Sequence, residues 1–153
     1  MEEEQRVKKI KEGTVIDHIT AGNAMAVLRI LGLTSVNKNI VSIVMNVPSK
    51  KLGKKDIVKI EEKELDPNEV DKISLIAPKA SINIIRNYKV VDKQKTKIPR
   101  IIRGILKCAN LSCISNSDEP INQIFVVENE EPLRLRCHYC SRVMEEKDVL
   151  KQF

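Results

Sequence analysis

The chain has 153 residues, 42% hydrophobic, 31% charged and 3% aromatic. That is the make-up of a soluble globular protein with one domain or two small ones, and no apolar run approaches the ~20 residues of a membrane-spanning helix. The net charge of +6 is uneven: residues 1–98 hold 19 Lys+Arg against 13 Asp+Glu, and residues 99–153 hold eight of each.

The acidic Met1-Glu2-Glu3-Glu4 start argues against a secretory signal. Twenty isoleucines, nineteen lysines and no tryptophan are a thermophile-like composition. Arg6–Lys11 reads as a short strand, with Val7 and Ile10 as its apolar positions. Gly13 turns the chain, and Thr14–Ile19 alternates as a strand. Thr20 can cap a helix that carries Ala24, Val27, Leu28 and Leu31 at helical spacing, and Gly32 is placed to end it. Ile40–Val47 is β-branched and strand-like, Pro48–Gly53 is a loop, and a strand follows from Asp56 to about Glu62. Asp66-Pro67 is a helix start, with a capping aspartate and proline in the first turn. Val70, Ile73, Leu75 and Ile76 are the buried side of that helix, and Pro78 stops it. Ser81–Ile85 and Tyr88–Val91 are strands around Arg86-Asn87. The core order β-α-β-β-α-β is the ferredoxin-like arrangement, and it ends near Lys95-Thr96-Lys97-Ile98-Pro99.

The second part reads as short strands, Arg103–Lys107, Ile124–Glu128 and Leu133–Arg136, around the chain's four cysteines. These come in two pairs, Cys108-x₄-Cys113 and Cys137-x₂-Cys140. Two such loops brought together offer four thiolates to one structural Zn²⁺. A full sphere of four sulfurs leaves no open position for a water nucleophile. Disulfides are the competing reading, but nothing suggests an oxidising compartment. About 55 residues are too few for a secure core, so metal binding supplies much of this part's folding free energy.

No catalytic set is present. The chain has two histidines, His18 and His138, and lacks a G-x-S-x-G elbow, a Walker loop and a G-x-G-x-x-G turn. Asp17 and His18 are neighbours in a strand, so their side chains are expected on opposite faces. Lys55 and Lys59, four apart in a strand, share one face. Their repulsion would be relieved by separation, by solvent or by a phosphate-bearing ligand.

Taken together, Gly13-Thr14-Val15-Ile16-Asp17-His18-Ile19, Gly53-Lys54-Lys55-Asp56-Ile57-Val58-Lys59-Ile60, Ala77-Pro78-Lys79-Ala80-Ser81-Ile82-Asn83, Asn87-Tyr88-Lys89-Val90-Val91 and the two cysteine pairs resemble the regulatory chain of aspartate carbamoyltransferase. The resemblance implies an α+β chain. Residues 1–98 would be a ferredoxin-like (βαββαβ) allosteric domain that binds nucleotide. Residues 99–153 would be a small all-β, zinc-ribbon or rubredoxin-like domain that contacts the catalytic chain. It implies that Lys93 holds the phosphates of a CTP- or ATP-type nucleoside triphosphate, with Asp17 and Lys59 near the ribose and His18 and Lys55 beside the ligand. Val7, Lys8 and Lys9 would meet the base, and Val15, Asn83, Ile85, Tyr88 and Val90 would line the rest. One zinc ion would sit on Cys108, Cys113, Cys137 and Cys140. Asn110 and Tyr139 would lie close to catalytic trimers, which regulatory dimers bridge. The expected role is a non-catalytic, cytoplasmic regulatory subunit of pyrimidine biosynthesis, engaging neither membrane nor nucleic acid.

The alternative from another class is a zinc-ribbon nucleic-acid binder. Against it, the positive charge is not on the cysteine part, and two Tyr and two Phe leave few stacking platforms.

Overall fold

The computed structural model describes residues 9–33 and 38–153, and the chain divides into the units Met1–Lys97 and Ile98–Phe153. The first contains β1 (Gly13–Thr20), α1 (Ala24–Ile30), β2 (Val41–Ser49), β3 (Gly53–Glu61), α2 (Pro67–Ile76), β4 (Ser81–Arg86) and β5 (Lys89–Lys95). Its sheet has the order β2-β3-β1-β4-β5, with every pairing antiparallel. This is the βαββαβ arrangement with β5 added at one edge. Gly13 lets β1 approach β3: at φ +141° a Cβ there would stand 2.0 Å from the Ile60 carbonyl oxygen.

Strand alternation puts Ile16, Val58, Ile60 and Ile82 on one face, where all are buried with Val27 and Leu28 of α1 and Val70, Ile73 and Ile76 of α2. Val15, Asp17, Lys59 and Asn83 point the other way, to a face that no helix of this unit covers. α2 starts as the sequence indicates. The Asp66 side chain accepts from the Glu69 N–H at 2.8 Å, and the Glu69 carboxylate accepts from the Asp66 N–H at 3.2 Å.

Both neighbours of β3 carry a bulge. Ile16 pairs with Val58 and Ile19 with Asp56; Val44 pairs with Ile57 and Val47 with Lys55. Each bulge holds a left-handed residue, His18 (φ 57°) and Asn46 (φ 60°). Asp56, fully buried, organises the helix side. Its carboxylate accepts the N–H groups of Gly22 (2.9 Å), Ala24 (3.1 Å) and Asn46 (2.9 Å).

Several expectations are corrected. Thr20 does not cap α1. The N-cap position is Asn23, whose side chain donates instead to Ile76 O at 2.8 Å, and the capping acceptor is Asp56 from another strand. The expected loop Pro48–Gly53 is shorter, because β2 runs to Ser49 and β3 begins at Gly53. Of the expected strand Arg6–Lys11, residues 6–8 lie outside the described residues, and 9–11 form no strand. Tyr88 belongs to the turn before β5, with Asn87 (φ 51°) and Tyr88 (φ 65°) both left-handed.

The second unit holds β6 (Ile101–Arg103), β7 (Ile124–Glu130), β8 (Leu133–Cys137), β9 (Val143–Glu145) and the five-residue α3 (Glu146–Leu150). The strands form an antiparallel meander in that order. Phe125, Leu135, Met144, Val149, Ile102 and Leu106 are its small core. The strand expected at Arg103–Lys107 ends at Arg103, because Gly104 takes φ +66° and turns the chain. β9 and α3 were absent from the sequence reading. α3 is capped reciprocally by Glu145 and Asp148.

Asp56→Ala leaves three backbone donors without their acceptor, and Asp56→Asn keeps an acceptor oxygen. Each lost bond of this kind costs about 1–3 kcal/mol. Urea denaturation of the metal-loaded chain is therefore expected to show a loss of about 3 kcal/mol or more for Asp56→Ala and a smaller loss for Asp56→Asn. Equal stability of Asp56→Ala and wild type would remove Asp56 from this role.

Candidate functional site

The helix-free face of the first sheet is ordered in rows by strand register. The first row is Gly13 of β1, Ile85 of β4 and Val90 of β5. Tyr88, 58% exposed, lies in the turn beside it, and its N–H donates to Lys11 O at 3.0 Å. The second row runs Lys59, Val15, Asn83, Lys93 across four strands. Asn83 donates to Val15 O at 3.2 Å. The third row is Asp17, Ser81 and Lys95. Rows are about 7 Å apart, so the face passes from apolar and backbone groups at one end to cationic groups at the other.

The β1 bulge organises the cationic end. It overturns the expectation that Asp17 and His18 point to opposite faces. The His18 N–H donates to Asp17 Oδ1 at 2.6 Å, and His18 Nδ1 lies 3.8 Å from Asp17 Oδ2 and 3.5 Å from Ser81 Oγ. Lys55 is buried on this face, with its ammonium 3.1 Å from Asp17 Oδ1. The pair Lys55–Lys59 is thus balanced in part by the protein's own carboxylate. His18 sits below its ordinary pKa of 6.5, chiefly through burial, with Asp17 opposing and Lys55, Lys51 and Lys93 reinforcing the shift. Lys59 is also lowered, by burial first and by Lys9 further, against the pull of Asp17. Lys9 is exposed; Val7 and Lys8 lie outside the described residues. Lys95 joins this group through its register with Ser81, which no local sequence signal marks, and Lys51 of the lysine-rich β2–β3 turn adds to the positive field on His18.

In the second unit Cys108, Cys113, Cys137 and Cys140 converge, with their four sulfurs all within 4.8 Å of one another. All are free thiols. Cys108 and Cys140 are 3.5 Å apart, and Cys113 and Cys137 are 3.7 Å apart. A tetrahedron of sulfurs at the zinc–thiolate distance of about 2.3 Å has edges of about 3.8 Å, so the donor set fits a tetrahedral soft-metal site. Burial pushes the Cys108 thiol up to about 12 and also raises Cys137. The Arg142 N–H brings Cys140 down to about 6. Ionising all four together therefore calls for a cation among them.

Asn110 holds the first loop. Its side chain accepts from Ser112 N–H at 3.1 Å, and its carbonyl accepts from Cys113 N–H and from Asn116 Nδ2. Tyr139 of the second loop donates its hydroxyl to Asn122 O at 3.0 Å and packs edge-on to His138. The same loops expose Leu111 (90%) and Ile114 (51%). An apolar residue inside a metal loop, where it has no core to reach, was the signal that could have found them.

Residues 5–97 match the family model described as "Aspartate carbamoyltransferase regulatory chain, allosteric domain". Residues 100–150 match that of the same chain's metal binding domain. Proteins named aspartate carbamoyltransferase regulatory chain are similar over nearly the full length. The one from Korarchaeum cryptofilum is 53% identical, covering 99% of this chain and 98% of its own. That from Pyrococcus horikoshii is 55% identical (96% and 97%), and that from Methanothermobacter thermautotrophicus 54% (98% and 96%).

Two outcomes are expected. Folding holds His18 neutral below its ordinary range, so the unfolded chain binds more protons as pH falls below about 6.5, and stability drops there. His18→Asn, which tolerates the left-handed backbone, should flatten that slope in urea titrations between pH 5 and 7; an unchanged slope would exclude His18 as its source. Displacing the metal with a thiol-reactive mercurial should abolish amide-exchange protection in β7 and β8 while β1, β3 and β4 keep theirs. Protection surviving in β7 and β8 would show that the apolar core suffices without it.

Proposed function

This chain belongs to the family of aspartate carbamoyltransferase regulatory chains, and we propose that it senses nucleotides and transmits their effect to the catalytic chain. It is a regulatory and not a catalytic chain, with allosteric and metal-binding domains. In our reading residues 1–98 bind a CTP- or ATP-type nucleoside triphosphate, and residues 99–153, folded on one structural zinc ion, contact catalytic trimers.

The observation that carries the reading is the graded open face of the first sheet. Ile85, Val90 and Tyr88 suit a base, which needs apolar contact and backbone donors and acceptors; the segment Val7–Lys9, of which only Lys9 is described, is assigned to the base by the family resemblance alone. Asp17, Lys59, Val15 and Asn83 suit the ribose. Lys93, with His18 and Lys55 beside it, suits the phosphates through charge-assisted hydrogen bonds. Bound nucleotide then biases the quaternary states of the assembly by its differential affinity for them.

Four thiolates favour zinc held structurally, because they fill its coordination sphere and leave no place for a reacting water. The metal fixes both loops, and so fixes Asn110, Leu111, Ile114 and Tyr139 as the surface offered to the catalytic chain. Exposed Leu111 and Ile114 support an apolar contact there. Pairing of two regulatory chains is supported by β2, an edge strand that exposes Ile43 (37%) and Met45 (44%). Among the described residues no helix is long and apolar enough to cross a membrane; with the biosynthetic role of the family, this supports a cytoplasmic location. A nucleic-acid role is weaker, because residues 99–153 carry no net positive charge.

The test is mass analysis of the chain mixed with a matched catalytic trimer, with zinc bound and after mercurial displacement. Zinc-dependent assembly is expected, and no assembly with zinc in place would overturn the reading. In calorimetry CTP should bind saturably, and Lys93→Ala should weaken it about tenfold or more, the worth of one charge-assisted bond.

A further inference from the structure

The Cys137–Cys140 loop has a second closure besides its sulfurs. Arg136, the residue before Cys137, reaches Ser141, the residue after Cys140: its guanidinium donates from Nη1 to Ser141 O at 2.7 Å. The same guanidinium donates to Glu128, from Nε to Oε2 at 2.8 Å and from Nη2 to Oε1 at 3.1 Å. Glu128 is the inserted residue of a bulge in β7, since Val127 pairs with Leu135 and Asn129 with Arg134. The bulge aims its carboxylate at Arg136 of the neighbouring strand. Every nitrogen of the guanidinium thus has a partner, and the plane of the group is fixed.

What the arginine holds is an uncommon backbone. Ser141 takes φ 64°, a left-handed conformation that favours glycine. This turn brings Ser141 N–H to Cys137 O at 3.0 Å and Cys137 N–H to Arg142 O at 2.9 Å. It also places the Arg142 N–H on the Cys140 sulfur, while the N–H groups of Cys140 and Tyr139 meet the Cys137 sulfur. Loop shape therefore sets both the place of two sulfurs and the donors that each faces. The Cys108–Cys113 loop is held differently, by the neutral Asn116 amide on Cys108 O and Asn110 O, both at 2.9 Å. The brace of the second loop is charged and faces solvent, with the Arg136 and Glu128 side chains 43% and 35% exposed. As a surface ion pair it adds little stability; as a fork aimed at one carbonyl it fixes a conformation.

We propose that Arg136, aimed by Glu128, is a positioning residue for the metal: it holds Ser141 left-handed, keeps Cys137 and Cys140 at their corners of the tetrahedron, and so sets how long the metal is retained. This role rests on the metal reading above and adds to it a control on release that lies outside the four ligands. When the fork lets go, Ser141 can leave the left-handed region. Cys140, the one cysteine of the four that is not buried, is then the first sulfur to leave the ion. Salt screens the charged fork more than the amide brace of the first loop, so release quickens with ionic strength.

The experiment follows zinc transfer from the full, zinc-loaded chain to an excess of a coloured chelator, at low and high salt. The proteins are wild type, Arg136→Ala, Arg136→Lys, Glu128→Gln and Arg136→Ala/Ser141→Gly. Arg136→Ala is expected to release zinc about tenfold faster, with little salt dependence left. Glu128→Gln, the milder change, should move in the same direction by a smaller factor and keeps the test open if Arg136→Ala fails to fold. Lysine cannot fork between a carboxylate and a carbonyl, so Arg136→Lys should not restore retention. Glycine adopts the left-handed turn unaided, so Ser141→Gly should return most of the retention that Arg136→Ala loses. In the cobalt-loaded chains the sulfur-to-metal charge-transfer band should shift in Arg136→Ala and return in the double variant. Wild type failing to hold one metal ion on its four sulfurs would sink the metal reading and this role together. Wild type holding zinc while Arg136→Ala and Glu128→Gln release it at the wild-type rate would overturn the role and leave the metal reading standing. Faster release that Ser141→Gly does not reverse would also overturn it, reducing the fork to general stabilisation.

Discussion

Lys55 and Asp56 are neighbours on β3, and their side chains leave the sheet on opposite sides. Asp56 reaches into the helix layer and gathers three N–H groups, two from the approach to α1 and one from the β2 bulge. Lys55 reaches to the open face and engages Asp17, which also accepts from the N–H at the β1 bulge and lies beside the His18 ring. The two charges are thus the fixings for both bulges and for the start of α1. Their separation by the sheet matters. A carboxylate this deeply buried is tolerable only with several donors, and with the Lys55 ammonium on the other side of the sheet those donors are the backbone N–H groups of Gly22, Ala24 and Asn46. The unusual backbone at His18 and Asn46 follows from this pair.

Features set by local chemistry were legible in the sequence. Asp66-Pro67 announced α2 because the capping aspartate and the first-turn proline are adjacent in the chain. The cysteine spacings announced a sulfur cluster because short loops bring their own ends together. The α+β alternation followed from periodicity. What escaped was non-local. Thr20 is a sound capping residue, yet α1 takes its acceptor from Asp56, more than thirty residues away. Asp17 and His18 were assigned opposite faces because strand alternation has no provision for an inserted residue. The place of Lys95 in one row with Ser81 and Asp17 depends on the register of β1, β4 and β5, which no single stretch of sequence specifies.

The second unit shows how little apolar material a metal-supported fold uses. Its core is one Phe and a handful of aliphatic side chains and methionine. Its loops are held by polar stitches: Asn116 to the carbonyls of Cys108 and Asn110, Gln123 to Ser115 O, and Gln152 exchanging two bonds with Lys107 directly before the first cysteine. These stitches fix loop shape but bury little surface, and so contribute specificity more than free energy. A metal ion held by the sulfur cluster would add the stabilisation that these stitches do not.

The two edges of the first sheet differ in kind. β2 offers Ile43 and Met45, while β5 is exposed throughout and has lysines at three of its seven positions. β5 also exposes Val90 and Val91, so what sets it apart from β2 as a docking edge is the like charge of its lysines. Were two copies to meet through β2 about a two-fold axis, each would consume the other's permissive edge, and only lysine-bearing edges would face outward. Such growth would stop after a single step. A sheet with two permissive edges could add copies without limit, so the placement of a few lysines separates a closed pair from a fibre.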